Sequence, residues 1–174
     1  MVEQALFSSA RKDWATPQAF IDWMRDARHT EFDLDAAALQ ETAKAPSYFG
    51  PDHDLESHRD GLSADWRGHV WLNPPYGREI TDWLAKCAEE IKRKEVLSIT
   101  VLIPARTDTK WFHELVMPHA YLVFLIQGRF NFKTDLNLPV ANAPFPSMLV
   151  VYRKHNLPDA GITTLEVPKE ARGF

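Results

Sequence analysis

Residues 70–76 read Val70-Trp71-Leu72-Asn73-Pro74-Pro75-Tyr76, an apolar run that ends in a rigid turn. The apolar residues predict a short buried strand over about residues 69–73. Proline fixes φ and biases the residue before it towards extended geometry, so the Pro-Pro pair holds the end of the strand in one shape. Along the rest of the chain, strand patterns alternate with helix patterns, which is typical of an α/β domain with a mostly parallel sheet.

The other predicted elements follow from apolar periodicity and from turn residues. Strands are expected at residues 31–35, 96–103, 121–126, 127–132 and 147–152. Helices are expected at residues 17–28, 80–91 and 110–116. The first helix has Thr16 as its N-cap and Pro17 at its first position. Because the last two strands follow each other without a helix, we predict an antiparallel hairpin at the C-terminal edge of the sheet.

The composition is that of one globular domain over residues 1–174, and we expect extended tails at residues 1–13 and 155–174 and an ordered loop at residues 40–65. Cys87 is the only cysteine, which excludes a disulfide framework and a Cys-rich zinc site. The net charge of −4 excludes a strongly basic binder but permits a local basic patch. Membrane-spanning and signal-peptide patterns are lacking, so we expect a cytosolic protein.

The turn at residues 73–76 offers the groups that a planar amino nitrogen needs in order to accept a methyl group. Such a nitrogen is a weak nucleophile because its lone pair is delocalised. For a nitrogen such as N6 of adenine, the side-chain oxygen of Asn73 and the backbone carbonyl of Pro74 can accept the two amino hydrogens. Pro75 stiffens the turn that holds these two acceptors, and Tyr76 can stack on the planar base. The structural alternative is a Pro-Pro turn that only packs a tyrosine. The preceding strand and the following Gly77 favour the catalytic interpretation.

Polar residues at two further places could bind a methyl donor. Asp33 and Asp35 lie two apart on the first strand, so their side chains are expected to point the same way. Ligands of open α/β sheets bind outside the carboxyl ends of strands, where Asp35 and Asn73 both lie. The alternatives for the aspartates are a solvent-facing pair or a helix cap. Backbone N–H groups at the Thr16-Pro17 helix start could hold a carboxylate, although helix initiation alone also explains this pair.

Two groups of charged or metal-ligating residues remain. Residues 52–58 include two histidines and three acidic residues, but the segment lacks the helix or hairpin that fixes ligand geometry. We therefore predict a solvated loop and no metal site. Arg106, Lys110, Arg129 and Lys133 follow predicted strand ends. Surface charge is their simplest explanation, and contact with nucleic-acid phosphates at the rim of the site is the functional one.

Residues 14–152 resemble the small phage-type, Dam-like DNA N6-adenine methyltransferases. The resemblance rests on short motifs in a fixed order, at residues 14–17 (WATP), 32–38 (FDLDAAA), 60–62 (DGL), 65–66 (DW), 70–77 (VWLNPPYG), 104–109 (PARTDT), 111–112 (WF), 128–130 (GRF) and 143–147 (APFPS). The sequence departs from the family pattern in two ways. Small residues at 36–38 replace the usual glycine-rich loop, and the acidic residue that grips the donor ribose has no clear counterpart.

The resemblance implies a reduced Rossmann-like methyltransferase sheet, S-adenosylmethionine as methyl donor and adenine in double-stranded DNA as acceptor. It implies that residues 73–76 are catalytic and that seven residues hold the donor: Thr16, Pro17, Asp33, Asp35, Ala36, Asp60 and Leu62. We also expect a monomer that needs no metal and no membrane and works in the cytoplasm of a bacterial host cell.

Two other functions stay open at this point. The same turn could serve methylation of a glutamine amide in a protein or of an amino group in RNA. The fold could also belong to a non-catalytic DNA-binding relative that has lost the donor. The target DNA sequence cannot be read from the chain, and residues 127–146 are the best candidate for recognising it.

Overall fold

The computed structural model describes residues 14–132 and 142–174, and its strands form one seven-stranded sheet. In chain order the strands are β1 (Leu34–Asp35), β2 (Ser47–Tyr48), β3 (Gly68–Leu72), β4 (Val96–Pro104), β5 (Leu122–Gln127), β6 (Ser147–Tyr152) and β7 (Gly161–Glu166). Their order across the sheet is β2-β1-β3-β4-β6-β5-β7, and only the two pairs that involve β6 are antiparallel. The predicted mostly parallel, Rossmann-like α/β sheet is confirmed, and its shortest strands are β1 and β2.

Two α-helices cover the opposite faces of this sheet, α1 (Gln18–Arg28) and α2 (Ile80–Glu90). Because side chains alternate along a strand, Val70 and Leu72 of β3 enter the core with α2, whereas Trp71 enters the core with α1. Cys87 of α2 is fully buried in the first of these cores, as its place on the apolar stripe predicts. The end of β3 is therefore held between two packed layers.

The start of α1 differs from the predicted cap. Pro17 is the N-cap residue, and no side chain caps the helix, so Thr16 lies one residue before the cap. The helix ends at His29, which adopts the left-handed conformation with a φ of 53°. The third predicted helix is a π-helical turn at Phe112–Val116, and two 3₁₀ helices lie at Glu56–His58 and Glu170–Arg172.

An antiparallel C-terminal hairpin is confirmed, but its first strand is β5 and not residues 127–132, and β6 inserts between β4 and β5. The prediction of a strand at residues 127–132 is wrong, because β5 ends at Gln127 and Gly128 turns the chain with a φ of 85°. Residues 155–174 are not an extended tail, because β7 pairs in parallel with β5 over six residues. The predicted tail at residues 1–13 lies outside the described residues.

The C-terminal 3₁₀ helix holds the loop that follows β5. Arg172 donates from Nη1 to the carbonyl of Arg129 at 2.9 Å, and Asn131 donates from its backbone N–H to the carbonyl of Arg172 at 2.8 Å. The same 3₁₀ helix packs against α1. Through this 3₁₀ helix, the loop after β5 is connected to α1. None of the helices within the described ranges has the length and apolar character needed to cross a membrane.

Candidate active site

The carboxyl ends of β1 and β3 open onto a cavity of about 270 Å³. Parallel strands expose ligand-binding residues at this edge of the sheet, and the loops before α1 and after β2 close the sides. Six of the residues predicted from sequence line the cavity: Thr16, Asp35, Ala36, Asp60, Asn73 and Pro75. Residues from four separate sequence motifs therefore meet in one concave site.

Hydrogen bonds hold the amide of Asn73 at both ends. Its Nδ2 donates to the backbone carbonyl of Trp14 and, at 3.0 Å, to Oγ1 of Thr16. Its Oδ1 accepts a hydrogen bond of 2.7 Å from the hydroxyl of Tyr76. A backbone carbonyl only accepts hydrogen bonds, so the nitrogen end of the amide has to face Trp14. One lone pair of Oδ1 is left for a further donor.

Tyr76 packs within a cluster of four rings that we call the aromatic cluster (Trp14, Tyr76, Phe132 and Phe145). The Tyr76 ring meets Phe145 edge to face at 5.5 Å and Phe132 at 6.3 Å, and Trp14 meets both phenylalanines at 5.6 Å. Burial raises the pKa of the Tyr76 hydroxyl, which stays a neutral donor. Pro74, two residues before Tyr76 in the chain, is buried, whereas Pro75 lines the cavity. Stacking of Tyr76 on a base stays a prediction.

Sequence reasoning missed the other three rings of the aromatic cluster. Trp14, Phe132 and Phe145 are far apart in the chain, and only the fold brings them to Tyr76. Their signal in the sequence is weak. Two of them lie in motifs quoted above, at residues 14–17 and 143–147, but an aromatic residue is more often part of a core than of a site.

Asp35 is the buried acid of the cavity. Its side chain is 2% exposed, and its carboxylate accepts hydrogen bonds from the backbone N–H of Ala37 at 3.3 Å and of Lys44 at 3.0 Å. Burial raises the pKa of Asp35 from 3.8 to about 6, although the two hydrogen bonds act in the opposite direction. At neutral pH the cavity wall therefore carries a mostly ionised carboxylate.

The loop at residues 60–66 forms another wall of the cavity, and three hydrogen bonds hold it in place. Oδ1 of Asp60 accepts from the backbone N–H of Leu62 at 2.9 Å. Nε1 of Trp66 donates to the carbonyl of Gly61 at 2.8 Å, and the buried carboxylate of Glu90 accepts from the backbone N–H of Trp66 at 3.0 Å. These hydrogen bonds hold Gly61 close to the end of β1.

The DNA N-6-adenine-methyltransferase (Dam) family model matches residues 4–172. This chain belongs to the Dam family. A DNA N-6-adenine-methyltransferase of Escherichia phage T1 is 30% identical over 117 residues, which are 67% of this chain and 46% of that protein. The chain thus spans about half the length of this relative. A crystal structure of a predicted O-methyltransferase, Atu636 from Agrobacterium tumefaciens, aligns with 93% of this chain and 72% of its own at 15% identity and a TM-score of 0.37.

Three of the residues expected to hold the donor in this Dam family member do not line the cavity. Oδ2 of Asp33 accepts from the backbone N–H of His69 at 2.7 Å, at the amino ends of β1 and β3. This bond directs the Asp33 carboxylate to the start of β3, so Asp33 does not line the cavity with Asp35, and its contact with the donor stays a prediction. Pro17 is buried at the N-cap of α1. Leu62 packs on the core that contains α2.

Among the basic residues expected near DNA, Arg106, Lys110 and Arg129 lie after strand ends on the same edge of the sheet as Asn73. Arg106 and Arg129 are exposed and follow β4 and β5, and Lys110 forms an ion pair of 3.7 Å with Glu114. Lys133 lies outside the described residues. Contact of any of these side chains with phosphates stays a prediction.

The histidines at residues 52–58 serve loop packing. The rings of His53 and His58 stack at 4.8 Å, and Nδ1 of His53 accepts from the backbone N–H of Leu55 at 3.0 Å. Over residues 14–132 and 142–174, no group of three His, Cys, Asp or Glu side chains is placed to hold a metal ion.

Proposed function

We propose that this protein is an S-adenosylmethionine-dependent methyltransferase that modifies N6 of adenine in double-stranded DNA. The observation that carries the proposal is the amide of Asn73, held by Trp14, Thr16 and Tyr76 at the wall of the cavity, with one lone pair of Oδ1 to spare. Membership of the Dam family and the relative from Escherichia phage T1 support the same chemistry.

The cavity has the character expected of a site for S-adenosylmethionine, which supplies an activated methyl group on a positive sulfonium. The buried carboxylate of Asp35 offers a negative charge to a cationic ligand within the cavity wall. The backbone at residues 36–38 and the loop with Asp60 and Gly61 provide the remaining walls. These residues would bind and orient the donor, and the tight packing of Gly61 on β1 would keep water away from it.

Asn73 and Pro74 would bind the acceptor. Oδ1 of Asn73 accepts one hydrogen of the adenine amino group, and the carbonyl of Pro74 accepts the other, which draws the nitrogen towards tetrahedral geometry. S-adenosylmethionine would supply the methyl group to this nitrogen, which Asn73 and Pro74 would hold in position, and the surplus amino proton would leave to water. Positioning supplies much of the acceleration in such a displacement. The adenine has to leave the duplex to reach this site, so we propose base flipping.

Methylation of defined acceptors tests the proposal. Purified protein with S-adenosylmethionine is offered double-stranded DNA, single-stranded DNA, RNA and a glutamine-containing protein extract, and methyl transfer to each is measured. We expect transfer to DNA, with the modified adenines mapped by sequencing, and a rate lower by roughly 10²-fold or more with the Asn73→Ala variant. Transfer to RNA or protein alone would replace DNA by that acceptor. Failure to bind S-adenosylmethionine in calorimetry would indicate a non-catalytic relative. The active species is expected to be a monomer in the cytoplasm of the host cell.

A further inference from the structure

Thr16 and the backbone of Trp14 satisfy both hydrogens of the Asn73 side-chain nitrogen. Nδ2 carries two hydrogens, one of which goes to the Trp14 carbonyl and the other to Oγ1 of Thr16 at 3.0 Å. We propose that Thr16 is a positioning residue, which acts through Asn73 by accepting its second Nδ2 hydrogen and so holding the amide in the orientation that the Trp14 carbonyl sets. This inference rests on the proposed function and deepens it.

The Tyr76 hydroxyl alone cannot fix that orientation. It lies 2.7 Å from Oδ1 of Asn73 and 3.3 Å from the carbonyl of Leu102. If the amide rotated by half a turn, the hydroxyl could donate to Leu102 and accept from Nδ2 instead. On the other side, the same rotation would bring Oδ1 against the Trp14 carbonyl, where two acceptors meet without a hydrogen. The carbonyl of Trp14 therefore sets the direction of the amide, and the Thr16 hydroxyl, which accepts from Nδ2, holds the amide in place with Oδ1 available to an acceptor amino group.

The same contacts explain why asparagine rather than aspartate suits position 73. A carboxylate there could accept a hydrogen bond from the Thr16 hydroxyl, but it would have no hydrogen for the carbonyl of Trp14. Thr16 is 4% exposed, so water cannot readily replace a lost partner. The local sequence before α1 thus selects the amide and sets its direction.

Thr16 also lines the cavity, so a direct contact with the donor is the rival explanation. The two roles differ in what they change. A positioning role lowers the rate of methyl transfer when the donor is saturating and leaves donor affinity unchanged. A donor contact lowers donor affinity and leaves the saturated rate unchanged. Single-turnover rates and calorimetric donor affinities separate the two roles.

The experiment compares Thr16→Val, which keeps the size and removes the hydroxyl, with Thr16→Ser, which keeps the hydroxyl. We expect Thr16→Val to lower the saturated rate roughly 2- to 10-fold, the effect of one hydrogen bond, and Thr16→Ser to stay near the parent rate. In the Asn73→Ala background, Thr16→Val should have no further effect, because the two residues act as one unit. Thr16→Ala takes the place of Thr16→Val in this cycle if the valine variant does not fold.

Three results would overturn the inference: an unchanged saturated rate in Thr16→Val, the same loss in the Asn73→Ala background as in the parent, or a loss of donor affinity alone. A parent protein that methylates none of the DNA substrates would instead overturn the proposed function, and the positioning role with it. Failure of the inference is therefore seen in the Thr16 variants, whereas failure of the proposed function is seen in the parent protein.

Discussion

The hydroxyl of Tyr76 donates a hydrogen bond of 2.7 Å to Oδ1 of Asn73, three residues earlier in the same turn. The Pro-Pro pair between them makes this contact possible, because it bends the chain stiffly enough to bring the two side chains together. The tyrosine ring is at the same time packed by Phe145 and Phe132. Tyr76 therefore forms a structural hydrogen bond through its hydroxyl. The sequence predicts only the stacking role of its ring.

We expect Tyr76→Phe to lower the rate of DNA methylation roughly 2- to 10-fold, because one hydrogen bond to the Asn73 oxygen is lost while the ring remains. Tyr76→Ala removes the ring as well and should weaken binding of the flipped base by about 1–3 kcal/mol more. Single-turnover rates of both variants give the two effects separately, since only the alanine variant loses the aromatic face.

A DNA duplex with 2-aminopurine at the mapped target position reports base flipping directly. Its fluorescence rises when the base leaves the stack, and an aromatic ring that covers the base alters it again. If Tyr76→Phe and Tyr76→Ala have the same rate and the same fluorescence, Tyr76 does not stack on the base. The hydroxyl would then be its whole contribution.

Asn73→Ala removes the acceptor that the turn presents to the amino group. We expect turnover to fall roughly 10²-fold or more, as for other preorganised polar groups in active sites. Affinity for S-adenosylmethionine should change little, because the buried Asp35 is untouched. Turnover and calorimetric donor affinity are measured on the same preparation. A variant that methylates DNA at the parent rate would remove Asn73 from the mechanism.

The central part of the site could be predicted from sequence because its determinants are local. The apolar run before Asn73 and the two prolines after it specify a strand end and a rigid turn within eight residues. The rule that parallel strands bind ligands at their carboxyl ends points to Asp35, which lines the cavity. Both inferences needed only spacing and backbone preferences, which neighbouring residues largely determine.

The parts that sequence reasoning missed depend on contacts between distant segments. Period-two alternation predicts that the side chains of Asp33 and Asp35 point the same way, but β1 begins only at Leu34, and the backbone N–H of His69 binds the Asp33 carboxylate. The pairing of β7 with β5 is likewise non-local, and its weakly apolar sequence between prolines predicts a tail. The contact of Thr16 with Asn73 spans 57 residues of chain and has no local signal.

Binding of the donor should depend on pH through Asp35. Burial raises the pKa of this carboxyl to about 6, so lowering the pH below that value neutralises the charge offered to a cationic ligand. We expect affinity for S-adenosylmethionine to fall as the pH drops from about 7 to about 5. Asp35→Asn should bind the donor weakly at every pH in this window, whereas its affinity for DNA should change less. Calorimetry over the pH series compares the parent with the variant.

The sign of the stability effect provides the control for this prediction. The folded-state pKa of Asp35 lies above its ordinary value of 3.8, so the folded protein without ligand holds the proton more tightly than the unfolded chain does. This contribution to the free energy of unfolding is fully present below about pH 4 and is lost as the pH rises to about 6. A pKa difference of about two corresponds to ~3 kcal/mol. Equal pH slopes for parent and Asp35→Asn in denaturant unfolding would contradict the raised pKa.

The backbone contact between Gly61 and Ala36 gives the last prediction, because it sets the width of the cavity. A Cβ at Gly61 would lie 2.0 Å from the carbonyl oxygen of Ala36, which is backbone and cannot turn aside. Gly61→Ala should therefore push the loop with Asp60 away from the end of β1, cost about 1–3 kcal/mol of stability and weaken donor binding roughly tenfold. Gly161→Ala is the matched control, since its Cβ would lie 3.1 Å from the flexible end of Leu122 and at an ordinary contact distance of 3.9 Å from the Tyr121 carbonyl oxygen, far along the sheet in β7. Thermal unfolding and donor calorimetry are measured for both variants. If Gly61→Ala binds the donor as tightly as Gly161→Ala does, the donor does not occupy the space between the loop and β1.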